Sequence, residues 1–253
     1  MKLNFRKTGQ GKPLIILHGL FGSADNWLSI AKELENDFTT YLLDLRNHGD
    51  SGHQAEWNYK VMADDLLKFM EDHNLEKAHL LGHSMGGKIS MTFALSHPEL
   101  VDRLIIVDIA PRHYPVHHQT ILKGLNSIDL NGISSRKEAD EALGEYVKEK
   151  GVRQFLLKSL GRNENGEYIW KINLPVITNL IENVGQAIEK ERKFDHPTLF
   201  MGGENSTYIQ DSDKEDIEAL FPKAHIIKIK NAGHWIHAEQ PAAVVETVRA
   251  FLN

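Results

Sequence analysis

A serine between glycines is the first residue whose setting suggests chemistry. It stands in the run Gly82-His83-Ser84-Met85-Gly86-Gly87, between an apolar segment typical of a buried strand and a segment with helical spacing of apolar residues. Such a strand–turn–helix exposes the serine hydroxyl at the apex of a strained turn, where small neighbours let strand and helix approach. Ser84 is therefore the predicted nucleophile, and the alternative is a glycine-rich turn whose serine only caps the helix.

A serine hydroxyl needs a neighbouring base, and His234 is the predicted base among the 14 histidines. It lies in the run Asn231-Ala232-Gly233-His234-Trp235, after the last predicted strand and before the last predicted helix. Loops beyond the carboxyl ends of parallel strands meet at one edge of a sheet, so His234 can reach Ser84 from there. His83 is predicted to point away from that edge and to be structural.

Attack on an acyl carbonyl also needs two backbone N–H donors for the developing oxyanion. Met85 follows the predicted nucleophile and supplies one of them by position. The second is expected from the loop after the apolar run at residues 14–17, which reads His18-Gly19-Leu20-Phe21-Gly22. We predict that it is the amide of Leu20, with the amide of Phe21 as the alternative.

The acid that orients the histidine is the least regular part of the pattern. The chain order of nucleophile, acid and late histidine resembles the α/β-hydrolases, in which the acid follows the next-to-last strand, three residues after a glycine. Here that turn reads Gly203-Glu204-Asn205-Ser206, with serine in the place of the acid. Asp108, at the end of the preceding strand, is the predicted acid, although it could instead cap the next turn; Asp211 and Asp213 are further alternatives. Ser206 is predicted to be an auxiliary partner of the histidine.

The run Asp44-Leu45-Arg46-Asn47-His48-Gly49-Asp50-Ser51 also contains groups that could do chemistry. We assign it to structure. Asp44 is predicted to pair with Arg46 near a strand end, and Gly49 to make the turn.

These residues need a sheet to bring them together, and the rest of the sequence predicts one. Short apolar runs alternate with segments of helical spacing, which indicates an α/β protein with a mostly parallel twisted sheet and helices on both faces. Strands are predicted at residues 2–7, 14–17, 39–45, 77–81, 104–109, 197–201 and 224–229. Helices are predicted at residues 84–96 and about 213–220, after Pro241, and after a cap at Asn58.

The segment from residue 112 to residue 194 has a different texture, with helical faces and few β-branched runs. Gly151 and Gly161 are predicted to end two of its helices, and residues 163–166 to form a tight turn. We therefore predict an α/β core of residues 1–111 and 195–253, interrupted late by a helical cap of residues 112–194. A segment of this length is too long for a structureless loop and suits a lid over a site. Its candidates for an acyl pocket are Phe155, Leu156, Tyr168 and Trp170, and packing of the lid itself is the alternative for them.

Composition narrows the classes of function. The 253 residues are 41% hydrophobic and 25% charged, which is ordinary for a globular protein. The net charge of −6 argues against a nucleic-acid partner, and the absence of cysteine excludes disulfides and a thiol nucleophile. No export signal and no membrane-spanning run is recognisable, so a cytoplasmic location is expected. No metal site is predicted, because no H-E-x-x-H spacing accompanies the histidines that could suggest one, which are His113, His117, His118 and His237.

Taken together, the motifs resemble the bacterial YbfF-type esterases over the length of the chain. The resemblance is carried by residues 18–23, 44–49, 82–88, 108–111, 154–159 and 233–239. It implies the α/β-hydrolase fold, cleavage of small carboxyl esters or of acyl thioesters such as acyl-CoA, and no cofactor. It also implies that Asp108 is the acid and Ser206 an auxiliary member of the site.

Two other functions stay open at this point. The first is a lyase or C–C bond hydrolase on the same scaffold, because fold and triad do not fix the reaction. The second is a binding protein that has kept the scaffold without catalysis. The oligomeric state is also open.

Overall fold

The structure, a computed structural model, describes residues 1–189 and 192–253. Its strands are β1 (Phe5–Thr8), β2 (Lys12–Leu17), β3 (Phe38–Leu43), β4 (Ala78–His83), β5 (Val101–Val107), β6 (Leu160–Arg162), β7 (Tyr168–Trp170), β8 (Thr198–Gly203) and β9 (Ala224–Ile229). A seven-stranded sheet runs in the order β1-β3-β2-β4-β5-β8-β9. Strand β1 is antiparallel to β3, and the other pairs of this sheet are parallel. The predicted mostly parallel sheet is confirmed.

The α-helices are α1 (Leu28–Glu33), α2 (Tyr59–Asp72), α3 (Met85–Ser96), α4 (Gln119–Ser127), α5 (Arg136–Gly144), α6 (Lys150–Leu156), α7 (Leu174–Asn179), α8 (Lys214–Leu220), α9 (Ile236–Glu239) and α10 (Pro241–Leu252). Helix α2 begins where the sequence predicts, since the Asn58 side chain accepts a hydrogen bond from the Val61 amide at 3.0 Å. Helix α10 begins at Pro241, whose missing N–H costs nothing in the first turn.

The sheet is covered on both faces, and this explains its continuous apolar strands. Within β2, Ile15 and Leu17 belong to the apolar layer that includes α2 and α3. Leu14 and Ile16 belong to the opposite layer, which includes α1 and α10. Successive side chains of a strand point to opposite faces, so a central strand buried on both sides has no polar alternation.

The segment that follows β5 contains α4 to α7 and a small antiparallel sheet of β6 and β7. The predicted tight turn joins these two strands, with the Gly166 amide donating to the Asn163 carbonyl at 2.9 Å. The predicted helix ends at Gly151 and Gly161 are wrong, because Gly151 lies inside α6 and Gly161 inside β6. Each of the two strands has three residues, too few to show an alternating pattern. Residues 190 and 191 of the predicted cap lie outside the described residues.

A buried lysine ties this segment to the core at both of its ends. Lys88, on α3, is fully buried, and its Nζ donates to the carbonyls of Pro111 (3.2 Å), Arg112 (2.6 Å) and Gln186 (2.8 Å). Burial lowers the pKa of Lys88 to about 7, and Arg112 adds to this while Asp213 opposes it. Lys88 therefore fixes the entry and the exit of the segment on the helix that follows Ser84.

Buried histidines should make the fold sensitive to acid. Burial is the largest cause of lowered pKa values at His18 (about 4), His48 (about 3), His79 (about 4), His118 (about 4) and His237 (about 4). The unfolded chain takes up protons on these groups near pH 6.5, whereas the folded chain does not until about pH 4 or below. Their effect on stability is therefore absent above pH 6.5 and destabilising as the pH falls below it. Each of the fully buried pair, His18 and His48, should lower the free energy of unfolding by about 1.4 kcal/mol per pH unit in that window. Urea unfolding at pH 7.5, 6.5 and 5.5 measures this, and a constant free energy of unfolding would contradict it.

Candidate active site

Ser84 lies at the sharp turn between β4 and α3, as predicted. Its backbone has φ 52° and ψ −115°, in a region that non-glycine residues rarely adopt, and its amide donates to the Val107 carbonyl at 2.9 Å. A Cβ on Gly82 would lie 2.2 Å from the Gly86 carbonyl oxygen, and one on Gly86 would lie 2.3 Å from the Leu17 carbonyl oxygen. The glycines on either side of the serine are therefore required by the close approach of β4, α3 and β2.

Gly86→Ala should be costly because the added Cβ would meet backbone atoms, which cannot rotate away. We expect the free energy of unfolding to fall by roughly 1–3 kcal/mol or more, the usual cost of overpacking. Gly151→Ala is the matched control, since no atom lies within 4 Å of its Cβ position. The control should be neutral or stabilising by up to about 1 kcal/mol. Urea unfolding of both variants measures the difference, and equal stabilities would contradict the steric argument.

Three predicted residues form one hydrogen-bonded line. The Nε2 atom of His234 lies 3.1 Å from Ser84 Oγ, and its Nδ1 atom lies 2.7 Å from Asp108 Oδ2. The fully buried carboxylate accepts the Nδ1 hydrogen, which leaves the Nε2 lone pair facing the serine hydroxyl. The arrangement can deprotonate Ser84 as it attacks an electrophile.

The turn after β8 supports the carboxylate of Asp108 rather than the imidazole. The Gly203 amide donates to Asp108 Oδ1 at 2.9 Å, and the Ser206 hydroxyl donates to Asp108 Oδ2. The prediction that Ser206 bonds His234 is therefore wrong in its partner. Strands β5 and β8 are neighbours in the sheet, so this turn lies beside the end of β5, and the serine that replaces an acid hydrogen-bonds to the relocated one.

The other two candidates for the catalytic acid, Asp213 and Asp211, have different surroundings. Asp213 pairs with Arg112 at 2.8 Å, and Asp211 is exposed.

The predicted pair of Asp44 and Arg46 is wrong, because the Arg46 guanidinium turns toward α2 and binds Asp65 at 2.6 and 2.9 Å.

The two predicted oxyanion donors are the amides of Leu20, in the loop after β2, and of Met85, directly after Ser84. In residues 1–189 and 192–253, the amides of Leu20 and Met85 have no protein acceptor. The Phe21 amide, the alternative, already donates to His48 Nε2 at 3.3 Å. The geometry therefore favours Leu20 over Phe21 as the second donor.

His83 does not point away from the active edge, so that prediction is wrong. It is buried, and its Nε2 atom is hydrogen-bonded to the His234 carbonyl oxygen at 2.8 Å. The two imidazole rings lie 4.8 Å apart, and burial holds the pKa of His83 well below its usual range. The His83 side chain therefore supports the backbone of the loop that carries His234.

Two further interactions around His234, one with its ring and one with the amides on either side of it, had no recognisable signal in the sequence. The Tyr208 ring stacks on the imidazole with centroids 4.1 Å apart. The Glu239 carboxylate accepts the amides of Gly233 (2.7 Å) and Trp235 (3.2 Å), on either side of the histidine. Both contacts restrict the position of the His234 ring.

A cavity of about 420 Å³ opens onto Ser84 and His234. The segment after β5 lines it with apolar side chains, among them Ile121, Val147, Val152, Phe155 and Leu156. Phe155 also meets Trp235 across the cavity, with ring centroids 5.5 Å apart. Of the predicted pocket residues, Phe155 and Leu156 line the cavity, whereas Tyr168 and Trp170 pack against the apolar core instead.

The structure also bears on metal binding and membrane insertion. Among the described residues, no group of three or more histidine, aspartate or glutamate side chains is arranged to hold a metal ion. No helix in the same part of the chain is long and apolar enough to cross a bilayer. Of the four histidines singled out above, His117 and His118 stack on each other and His237 stacks on Trp27.

The fold and this site define a class of protein. The chain belongs to the α/β-hydrolase fold family, which it matches over residues 12–241. It is 38% identical over 259 residues to the esterase YbfF of Escherichia coli, covering all of both chains. It is 40% identical to the sn-1-specific diacylglycerol lipase ABHD11 of Danio rerio, covering 98% of this chain and 81% of that protein. The structure of a marine microorganism esterase matches with a TM-score of 0.96 and 44% identity over 99% of each chain.

Proposed function

We propose that this protein is a serine esterase that cleaves small carboxyl esters through an acyl-serine intermediate. The hydrogen-bonded line from Asp108 through His234 to Ser84, open to an apolar cavity, is the observation that carries the proposal. The names of the relatives, esterase and diacylglycerol lipase, support ester cleavage.

The proposed mechanism assigns one role to each group. His234 Nε2 removes the proton of Ser84 as the serine oxygen attacks the acyl carbonyl carbon, and Asp108 stabilises the imidazolium. The amides of Met85 and Leu20 bind the oxyanion. His234 then protonates the leaving alcohol as the ester bond breaks. The same imidazole deprotonates a water molecule, which attacks the acyl carbon, and returns that proton to Ser84 Oγ as the acid leaves. Ser206 assists by donating to the Asp108 carboxylate.

In this proposal, residues 112–194 act as a cap that holds the acyl group over a core of residues 1–111 and 195–253. The apolar side chains of Val152 and Phe155 favour a hydrocarbon acyl chain, because burying apolar surface stabilises the bound substrate. The leaving group can be an alcohol or, in an acyl thioester such as acyl-CoA, a thiol.

The chain length of the acyl group is the direct test of this cavity. With a series of p-nitrophenyl esters, kcat/KM should rise with acyl length until the cavity is filled and then fall. Val152→Trp should move the maximum to a shorter chain, because the larger side chain occupies cavity volume. Lys137→Trp is the control, since Lys137 is exposed on α5 and does not line the cavity. A maximum that stays in place in the Val152→Trp protein would contradict the acyl pocket.

Substrate assays also separate the alternatives. Oxygen esters and CoA thioesters of the same acyl chain distinguish the two leaving groups. The alternative of a lyase is tested with a cyclohexadiene substrate, of the kind that lyases on this scaffold use. Turnover of that substrate with no ester hydrolysis would replace the esterase proposal, and no turnover at all by the folded protein would favour a binding protein.

A further inference from the structure

The loop from Asp44 to Ser51 contacts the loop that carries the proposed oxyanion donor, and the mechanism above gives it no role. Two buried histidines join the loops, His18 from one and His48 from the other, with ring centroids 5.2 Å apart. His48 is fully buried, so its ring nitrogens must find partners within the protein.

The partners of His48 fix its tautomer. Its Nδ1 atom lies 3.0 Å from the Arg46 carbonyl oxygen, which can only accept a hydrogen bond, so Nδ1 carries the hydrogen. The bare Nε2 atom therefore accepts the hydrogen of the Phe21 amide, at 3.3 Å. Burial lowers the pKa of His48 to about 3, which keeps this acceptor unprotonated at neutral pH.

Phe21 needs such support because its backbone is in the left-handed region, with φ 61°. A bulky side chain adopts this conformation rarely and at a cost of roughly 1–3 kcal/mol. The hydrogen bond to His48 therefore stabilises the turn that directly follows Leu20. It also occupies the Phe21 amide and leaves the Leu20 amide free for the oxyanion.

Arg46, whose carbonyl oxygen accepts the hydrogen bond from His48, is itself held in place by its side chain. The Arg46 guanidinium is buried against α2, where it binds both oxygens of Asp65 and the Glu56 carbonyl at 2.7 Å. On the other side of the oxyanion loop, Asp44 accepts the Ala24 amide at 2.8 Å. The Leu45 amide also donates to His18 Nε2 at 3.1 Å. The loop that follows β3 thus holds the oxyanion loop at His18, Phe21 and Ala24.

We propose that His48 is a positioning residue for the oxyanion hole, which acts by accepting the Phe21 amide and so aims the Leu20 amide at the acyl oxygen. The inference rests on the proposed function, since it concerns the same reaction. It predicts an effect on the transition state rather than on substrate binding, because the oxyanion forms only after attack.

A pair of amide substitutions tests this inference. In His48→Gln, the side-chain oxygen lies near the former Nε2 position and can still accept the Phe21 amide. In His48→Asn, the side chain can still donate to the Arg46 carbonyl but is too short to reach Phe21. We expect kcat for a p-nitrophenyl ester to fall about 10²-fold in His48→Asn, comparable to loss of one oxyanion donor, with KM within about threefold of the wild type. His48→Gln should keep kcat at least tenfold above His48→Asn.

The second readout is inhibition by an aliphatic trifluoromethyl ketone. Its carbonyl carbon bonds to the serine oxygen, and its carbonyl oxygen becomes the oxyanion. Its affinity should fall in His48→Asn in proportion to kcat, which a general loss of stability would not produce. Thermal unfolding identifies any variant that does not fold. If His48→Asn does not fold, the test rests on the folded His48→Gln variant, in which kcat and inhibitor affinity should change in proportion. Equal kcat values in folded Gln and Asn variants would overturn the role of His48. Absence of esterase activity in the wild type would instead overturn the proposed function.

Discussion

Ser84→Ala is expected to reduce kcat for ester hydrolysis by about 10⁶-fold, the loss measured when the nucleophile of a serine protease is removed. The reason is that no other hydroxyl is hydrogen-bonded to His234 among the described residues. Alanine keeps the Cβ of serine, so the strain at φ 52° is unchanged and the fold should survive. Steady-state hydrolysis of a p-nitrophenyl ester measures the effect.

Ser96→Ala is the matched control, because Ser96 is exposed at the end of α3, the helix that begins beside Ser84. This variant should keep the activity of the wild type. A folded Ser84→Ala protein that retains more than about 1% of kcat, against the roughly 10⁶-fold loss expected, would contradict the assignment of the nucleophile.

Asp108→Asn is the second large effect, with an expected loss of about 10⁴-fold in kcat. An asparagine amide has the size of the carboxylate but not its charge, and it favours the wrong tautomer of His234. The substitution suits the backbone, because Asp108 has φ 50° and asparagine tolerates the left-handed region better than alanine would. Kinetics and thermal unfolding of the same preparation separate catalysis from folding.

Ser206→Ala provides the comparison for this prediction. Among the residues that the structure describes, the Ser206 hydroxyl donates to Asp108 together with the Gly203 amide and the His234 ring, so its removal should cost less than loss of the charge itself. The assignment of the acid would be wrong if Ser206→Ala abolished activity while Asp108→Asn retained most of it.

The sequence predicts much of this site because its members follow strands. Ser84 and Asp108 come directly after β4 and β5, and His234 lies on the loop that follows β9. In a parallel sheet the ends of such strands meet at one edge. The glycines at positions 82 and 86 give the turn at Ser84 a recognisable spacing. These signals are local, so a single sequence suffices to detect them.

The errors concern side-chain directions between distant parts of the chain. Arg46 could pair with Asp44 or Asp65 by charge alone, and only the packing of α2 against the sheet decides for Asp65. The same holds for Ser206, whose hydroxyl reaches the neighbouring strand end rather than the imidazole. Tyr208 lies in a loop with no periodic pattern, so the sequence does not predict that its ring stacks on His234.

Within the inserted segment, the errors are of another kind. The sequence predicts helix ends at Gly151 and Gly161 because glycine often follows a helix. Glycine is equally tolerated in the first turn of α6 and in a short strand such as β6, and sequence alone does not separate these settings.

The central claim, that His234 activates Ser84 as a nucleophile, is tested most directly by covalent labelling with a fluorophosphonate followed by peptide mass spectrometry. We expect one adduct per chain, on the peptide that contains Ser84, and a labelling rate that collapses in a folded His234→Ala variant. An adduct on a different residue, or a folded and ester-hydrolysing protein that the reagent leaves unmodified, would contradict the claim.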